Sequence, residues 1–278
     1  MTPRVFVIGA GRAGRALTHA MRVGGVDVVG LHGRREAHGI TVGHLPATLA
    51  LANVVLIAVR DGEIDGAMRE LLAATTSAGA VVLHASGSAE PAALELLRAH
   101  GHPGGTFHPL LPLTDPARAT EQLRRAWIGI DGDEAARAVS RELAAAIGAR
   151  VLEIPESAKA RYHAAAVFAS NFPIVLLATA MRLLTSAGVP EDAARGALGT
   201  LLVAAAENAS AMGPAKALTG PVARGDLETV RAHLGVLGDA PEVLELYRVL
   251  SRGAVGVAEE GGGDRVRLEE LRKALGEA

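Results

Sequence analysis

Six residues near the N-terminus, Gly9-Ala10-Gly11-Arg12-Ala13-Gly14, follow the apolar run Val5-Phe6-Val7-Ile8 and open a helix-forming stretch that reaches about Met21. A strand that turns sharply into a helix, with glycine at the first, third and sixth places of the turn, restricts the chain more than any other feature. Gly9 permits the tight turn, Gly11 lets the backbone approach a pyrophosphate, and Gly14 lets helix and strand pack closely. The free N–H groups of the helix's first turn then point at the anion. Glycine occurs 33 times in this chain, so the spacing alone is weak; its place between strand and helix carries the reading. All six residues are candidate cofactor contacts.

The second strand decides which nucleotide. An NAD site expects Asp or Glu at its end, to hold the ribose 2′-hydroxyl, but this strand ends Leu31-His32-Gly33-Arg34-Arg35. Guanidinium groups hold a 2′-phosphate instead and can stack on adenine, so Gly33, Arg34 and Arg35 point to NADP(H). The alternative is a solvated basic loop. Val59 and Arg60, at the end of a later strand, are expected to border the cofactor as well.

Short β-branched runs alternate with Ala/Leu/Arg-rich stretches up to residue 154, the pattern of βαβ units around a mostly parallel sheet. The strands are expected at 4–8, 26–31, 53–59, 80–84, 105–108, 127–130 and 150–154. After Pro155 the β-runs stop, and long alanine- and leucine-rich stretches follow, broken at Gly188-Val189-Pro190, Met212-Gly213-Pro214, Gly220-Pro221 and Gly261-Gly262-Gly263. The fold class expected is α/β, with a Rossmann dinucleotide-binding domain over 1–154 and an all-α domain over 155–278.

Composition removes several functions. With 278 residues, 49% hydrophobic, the chain can bury two modest cores. A net charge of -2 offers no basic surplus for nucleic acid. There is no cysteine, hence no thiolate catalysis, disulfide or cysteine metal site, and no metal is expected. The N-terminal apolar run is too short for a signal-peptide core, and the expected location is cytoplasmic. Ala164 to Met181 is apolar enough to raise a membrane span, but Ser170, Asn171 and Pro173 fall near its middle, and a buried helix of a soluble protein is the expectation.

In an open α/β sheet, chemistry gathers at the carboxyl ends of the strands. Those ends offer Ser86 in His84-Ala85-Ser86-Gly87-Ser88 and His108 in Phe107-His108-Pro109-Leu110 as substrate-pocket residues, each equally open to a turn role. Asp61 and Ser88 read as helix caps. Only three of the 28 basic residues are lysines, so a lysine here marks a place where arginine does not serve. Lys159, His163 and Ser170 share one stripe of a helix beginning near Glu156, with Asn171 at its margin. Lys159 or His163 is expected to supply the proton that accompanies hydride transfer; the alternative is a solvated lysine and a packing histidine. Between later helices, Asp226 is expected to cap the helix beginning at Leu227, while Thr219 and Arg224 are candidate substrate ligands, Arg224 for a carboxylate. Lys216 either serves the same pocket or sits in solvent.

Together the segments GAGRAG, HASGS, FHPL, KARYHAAAVFASN over 159–171 and LTGPVARGD over 218–226 resemble a Rossmann-like family whose C-terminal half is a domain of unknown function. That family is related to pyrroline-5-carboxylate reductase, ketopantoate reductase and the β-hydroxyacid dehydrogenases. The resemblance implies an NADP-binding domain and a helical domain of the phosphogluconate dehydrogenase C-terminal type. It also implies a homodimer formed through the helical domain, with the active site in the cleft between domains. Lys159-Ala160-Arg161-Tyr162-His163 matches the lysine of the Lys-x-x-x-Asn motif of the β-hydroxyacid dehydrogenases and carries histidine where that motif has asparagine.

The function expected is NADPH-dependent reduction of a small oxoacid or imine. The alternatives are a module that binds or senses NADP(H) without turnover, and use of a deazaflavin.

Overall fold

The computed structural model describes residues 2–74, 76–88, 92–113 and 116–276. The sheet contains all seven expected strands, with ends shifted by a residue or two: β1 (Arg4–Ile8), β2 (Asp27–His32), β3 (Val54–Ile57), β4 (Val81–His84), β5 (Gly104–Pro109), β6 (Trp127–Gly132) and β7 (Arg150–Glu153). Their order is β2-β1-β3-β4-β5-β6-β7, and every pairing is parallel except that of β5 with β6. The order in which successive strands are added therefore reverses between β1 and β3, which run parallel, and this places the crevice of a Rossmann sheet at their carboxyl ends.

Period-two alternation assigns each strand residue to a face. Val5, Val7, Val54 and Leu56 join one core with α1 (Arg12–Val23), α4 (Pro116–Leu123) and α5 (Glu134–Ala146). Phe6, Ile8, Val55 and Ile57 join the opposite core with α2 (Ile64–Ala73) and α3 (Ala92–Ala99). Strands covered on both faces need no polar alternation, and β3 is apolar and buried throughout.

The chain divides into compact units of residues 1–170 and 171–278. The division falls inside α6 (Lys159–Ser186) and not at residue 154, because the first turns of that helix are tied to the sheet by polar side chains. The second unit is entirely helical: the remainder of α6, α7 (Glu191–Met212), α8 (Pro214–Ala217), α9 (Leu227–Val236), α10 (Pro241–Glu260) and α11 (Arg265–Ala274). Its core gathers Val222, Val230, Val255, Leu268, Leu271 and Leu275. Asp226 caps α9 as expected, its carboxylate accepting the Thr229 N–H at 3.1 Å.

One expectation fails. Among the described residues, α6 is the one helix long and apolar enough to cross a membrane, and only 6% of its apolar window is buried within the chain. Pro173 lies inside α6 without ending it. The helix is therefore not the buried core helix that its composition suggested; Phe168, Ile174 and Val175 are exposed along it, as are Leu201 and Val203 on α7.

Candidate active site

The glycine-rich loop has the geometry its sequence requires. Gly9 has a φ of 114°, and a Cβ there would lie 2.3 Å from the Ala58 carbonyl oxygen. A Cβ on Gly14 would lie 1.7 Å from the Gly9 carbonyl oxygen, whereas one on Gly11 would meet nothing within 4 Å. The loop is thus closed toward the sheet and open outward at Gly11. No side chain caps α1 at Gly11, so its first-turn N–H groups stay available to an anion. Arg15 braces the loop, its Nε donating to the Ala10 carbonyl at 2.9 Å.

This loop forms one wall of a cavity of about 1280 Å³. The cavity runs from Gly9 to Ala13, past Gly33, Arg34, Arg35, Val59 and Arg60, to Ala85, His108 and Pro109. Every cofactor residue expected from sequence except the packed Gly14 lines it. One group was not foreseen. Glu63 accepts from Arg34 at 2.9 Å and from Arg60 at 2.5 Å, so an acid does reach the end of β2, from the loop after β3. The hydrogen bond from Arg60, then the charge of Arg34, holds the Glu63 carboxyl below its usual range.

At the far end, polar side chains collect on one face of β4, β5 and β6. His84 pairs with Thr106, Thr106 with Asp131 and His108 with Gly129 in the strand register, so these residues form two adjacent cross-strand rows. The start of α6 lies over them. Lys159 Nζ sits 2.9 Å from Asp131 Oδ2 and also donates to Thr106 Oγ1, whose hydroxyl is 3.3 Å from His84 Nε2. One turn later the Tyr162 hydroxyl meets His108 Nδ1 at 2.7 Å, with the two rings edge to face. Gly129 makes room for the phenol: a Cβ there would lie 2.2 Å from the Tyr162 oxygen.

His163, next on the helix, closes the group. A Cβ on Gly87 would lie 2.8 Å from His108 Cε1 and 3.1 Å from His163 Nδ1, so both imidazoles border the backbone at Gly87. His163 Nδ1 is buried and has no hydrogen-bond partner among the described residues. Ser86 is buried, its oxygen accepting the Ser88 N–H at 3.1 Å, and the Ser88 hydroxyl donates to Asp61. Burial alone would raise the Asp61 pKa, but hydrogen bonds from Ser86 and Ser88 and the nearby His163 and His108 hold it below the ordinary value. Burial, reinforced by His163, pulls His108 down to about 4, so it is neutral near pH 7.

The structure thus brings Ser86, His108 and His163 together and adds Asp61, Ser88 and Tyr162. Asp61 does not cap α2, its carboxylate accepting from the Ser88 hydroxyl instead, while the residues that Ser88 was expected to cap lie outside the described ones. Lys159 is not a free ammonium: it is 6% exposed and committed to Asp131 and Thr106 behind the histidines. Ser170 spends its hydroxyl on the Ala166 carbonyl of its own helix. Asn171 opens the second unit, where Thr219 and Arg224 are exposed residues of the segment between α8 and α9, and Arg224 lies near the capping Asp226. Lys216 is exposed on α8. Among the described residues no cluster of metal-binding side chains occurs.

Residues 126–254 match the family model described as a domain of unknown function, DUF2520. No curated protein matches the chain. Among solved structures, a protein from Thermotoga maritima is 26% identical, with a TM-score of 0.74 over 92% of this chain and 98% of that one. A Bacteroides fragilis protein described as a candidate NADP oxidoreductase is 22% identical, with a TM-score of 0.69 over 90% and 97% of the two chains. A pyrroline carboxylate reductase from Plasmodium falciparum, solved with NADP bound, is 9% identical, with a TM-score of 0.60 over 99% and 98%. The last two share the fold, which is that of Rossmann reductases with a helical C-terminal part.

Proposed function

We propose that this chain, a Rossmann-like protein carrying that domain of unknown function, is an NADPH-dependent reductase of a small oxoacid or cyclic imine acting in the cytoplasm. The observation that carries the reading is the single cavity running from the glycine-rich loop and Arg34 to His108, beside which His163 and Ser86 converge. A module that only binds or senses NADP(H) has no use for two half-buried histidines, a serine and a carboxylate assembled at the end of the nucleotide groove.

The residues fit the nucleotide. Gly9, Gly11 and the first turn of α1 would hold a pyrophosphate, and Arg34, Arg35 and Arg60 would hold a 2′-phosphate. When bound, NADPH supplies the hydride. His163 supplies the proton, so a C=O or C=N bond gains one hydride at carbon and one proton at oxygen or nitrogen. Asp61 steadies His163 while it is charged. Ser86 and His108 hold the substrate's polar atom. Lys159 acts from behind, fixing the start of α6 so that Tyr162 and His163 reach the sheet.

Exposed Phe168, Phe172, Ile174 and Val175 on α6, with Leu201 and Val203 on α7, support a homodimer formed through these helices.

The test is a fluorescence titration with NADPH and NADH, followed by NADPH oxidation against ketopantoate, pyrroline-carboxylate and simple imines. Tighter NADPH binding with turnover on one class supports the reading. Equal affinity for both nucleotides removes the 2′-phosphate assignment, and tight binding with no turnover favours the sensing module.

A further inference from the structure

We propose that Tyr162 is a positioning residue that fixes His108 as a neutral imidazole with its proton on Nε2, and that this N–H is the donor that polarises the substrate's carbonyl or imine. The inference rests on the reductase reading above but starts from an independent feature, the contact between a helix residue and a strand residue that no motif joins.

A neutral imidazole has two tautomers, and the bond made by one ring nitrogen decides the state of the other. His108 Nδ1 is 2.7 Å from the Tyr162 hydroxyl. Either group could donate in principle, but the phenol has one proton to place, and among the described residues His108 Nδ1 is the one hydrogen-bond partner within its reach. Burial first, and Asp131 second, raise the Tyr162 pKa, so the phenol keeps that proton and donates it. Nδ1 therefore accepts, and the ring proton resides on Nε2, the nitrogen left to the cavity that His108 lines.

The surroundings hold His108 uncharged. Burial has the largest effect, the neighbouring His163 and Lys159 act in the same direction, and only Asp61 opposes them. A neutral N–H donor gives up no proton to solvent between turnovers and stands ready where charge develops on the substrate's oxygen or nitrogen. His163 then transfers the proton while His108 keeps its own. The backbone has been cleared for this pair on two sides, since neither Gly129 beneath the phenol nor Gly87 beside the imidazole leaves space for a Cβ.

The experiment uses the full ¹⁵N-labelled chain and long-range proton–nitrogen spectra of its imidazoles, with His108 assigned by its loss in His108→Gln. The expected result is the Nε2–H tautomer, unchanged from pH 8 to 5.5. In Tyr162→Phe, which removes one oxygen, the two tautomers should mix, and kcat should fall about tenfold to a hundredfold, the range for losing a group that orients a functional histidine. NADPH affinity should not change. His108→Gln should lower kcat on the order of a hundredfold. An Nδ1–H tautomer in the wild type, titration of His108 near pH 6.5, or an unaltered tautomer in Tyr162→Phe would each overturn the proposal. The wild-type spectrum is decisive even if a variant folds poorly. It needs neither nucleotide nor substrate, so the expected tautomer in a protein that oxidises no NADPH refutes the reductase reading and leaves the pair standing.

Discussion

Lys159 and Asp131 form an ion pair of 2.9 Å in which the lysine side chain is 7% exposed and the aspartate 2%. The Thr106 N–H donates to Asp131 Oδ1 at 3.1 Å, and the Thr106 hydroxyl accepts from Lys159. Such a pair is worth little against a well-packed apolar replacement, yet removing one member strands the other charge in the interior. Lys159→Met should therefore lower unfolding free energy by about 3–5 kcal/mol, read from urea denaturation. Lys159→Met with Asp131→Leu should recover a substantial part. If the single variant is as stable as the wild type, the pair does not anchor α6.

Gly87 borders both imidazoles, and the nearest atoms to a Cβ there would be His108 Cε1 at 2.8 Å, His108 Nδ1 at 2.9 Å and His163 Nδ1 at 3.1 Å. Gly87→Ala must push at least one ring by several tenths of an ångström. Displacements of this kind at a reacting centre cost on the order of a hundredfold in rate. The expected outcome is that loss in kcat with unchanged NADPH affinity, since Gly87 does not line the nucleotide cavity. A parallel loss of affinity would show that the variant disturbs the whole sheet edge.

Much of this arrangement was legible beforehand, and the rest was hidden for a definable reason. The strands and the glycine loop are local: β-branched runs bounded by turn residues, and a turn that demands glycine. The scarcity of lysine rightly singled out Lys159, but a buried ion pair and a catalytic ammonium are both places where lysine is chosen, and sequence does not separate them. Tyr162 acquires meaning only through the antiparallel register that sets His108 opposite Gly129, a pairing between distant strands. Asp61 and Ser88 carry ordinary capping chemistry, and their partnership spans 27 residues. Glu63 was missed because the acid at the ribose end was sought on β2 and arrives from the loop after β3.

Arg34 and Arg60 converge on Glu63, both guanidiniums being 77% exposed. In NADPH the 2′-phosphate would take over these donors, and a charged hydrogen bond contributes about 1.5–3 kcal/mol. Arg34→Ala should weaken NADPH binding by about tenfold to a hundredfold and leave NADH within twofold. Isothermal titration with both nucleotides measures this. An equal loss for the two would place Arg34 at the pyrophosphate or in general electrostatics instead.

The apolar residues exposed on α6 and α7 predict the oligomeric state. Ile174 is 63% exposed and Leu201 65%, and large apolar residues left open in this number on two successive helices are expected to meet a covering partner. Sedimentation velocity should show the wild type as a dimer and Ile174→Asp with Leu201→Asp as a dissociated or less stable species. A wild type that sediments as a monomer down to low salt and up to high concentration would exclude self-association through these helices.

Stability should fall with acid in two stages. His84 and His108 are both held down to about 4, burial being the main cause in each, with Lys159 acting next on His84 and His163 next on His108. An unfolded histidine takes up its proton near 6.5. Above that pH both states are neutral and the histidines add no slope. Between 6.5 and about 4 the unfolded chain binds protons that the folded chain refuses, so stability is lost as pH falls. For fully buried His84 the loss across this window is about 3 kcal/mol; half-buried His108 adds less. Below about 4 the lowered carboxylates Asp61, Glu63, Asp226 and Glu259 follow, since their contribution is present above the unfolded carboxylate pKa and disappears on protonation. Urea midpoints measured from pH 8 to 4 should stay level to about 6.5 and then decline. His84→Gln, whose amide can still meet Thr106, should flatten that decline by more than half. A level midpoint down to pH 4.5 in the wild type would mean that neither histidine is held neutral by the fold.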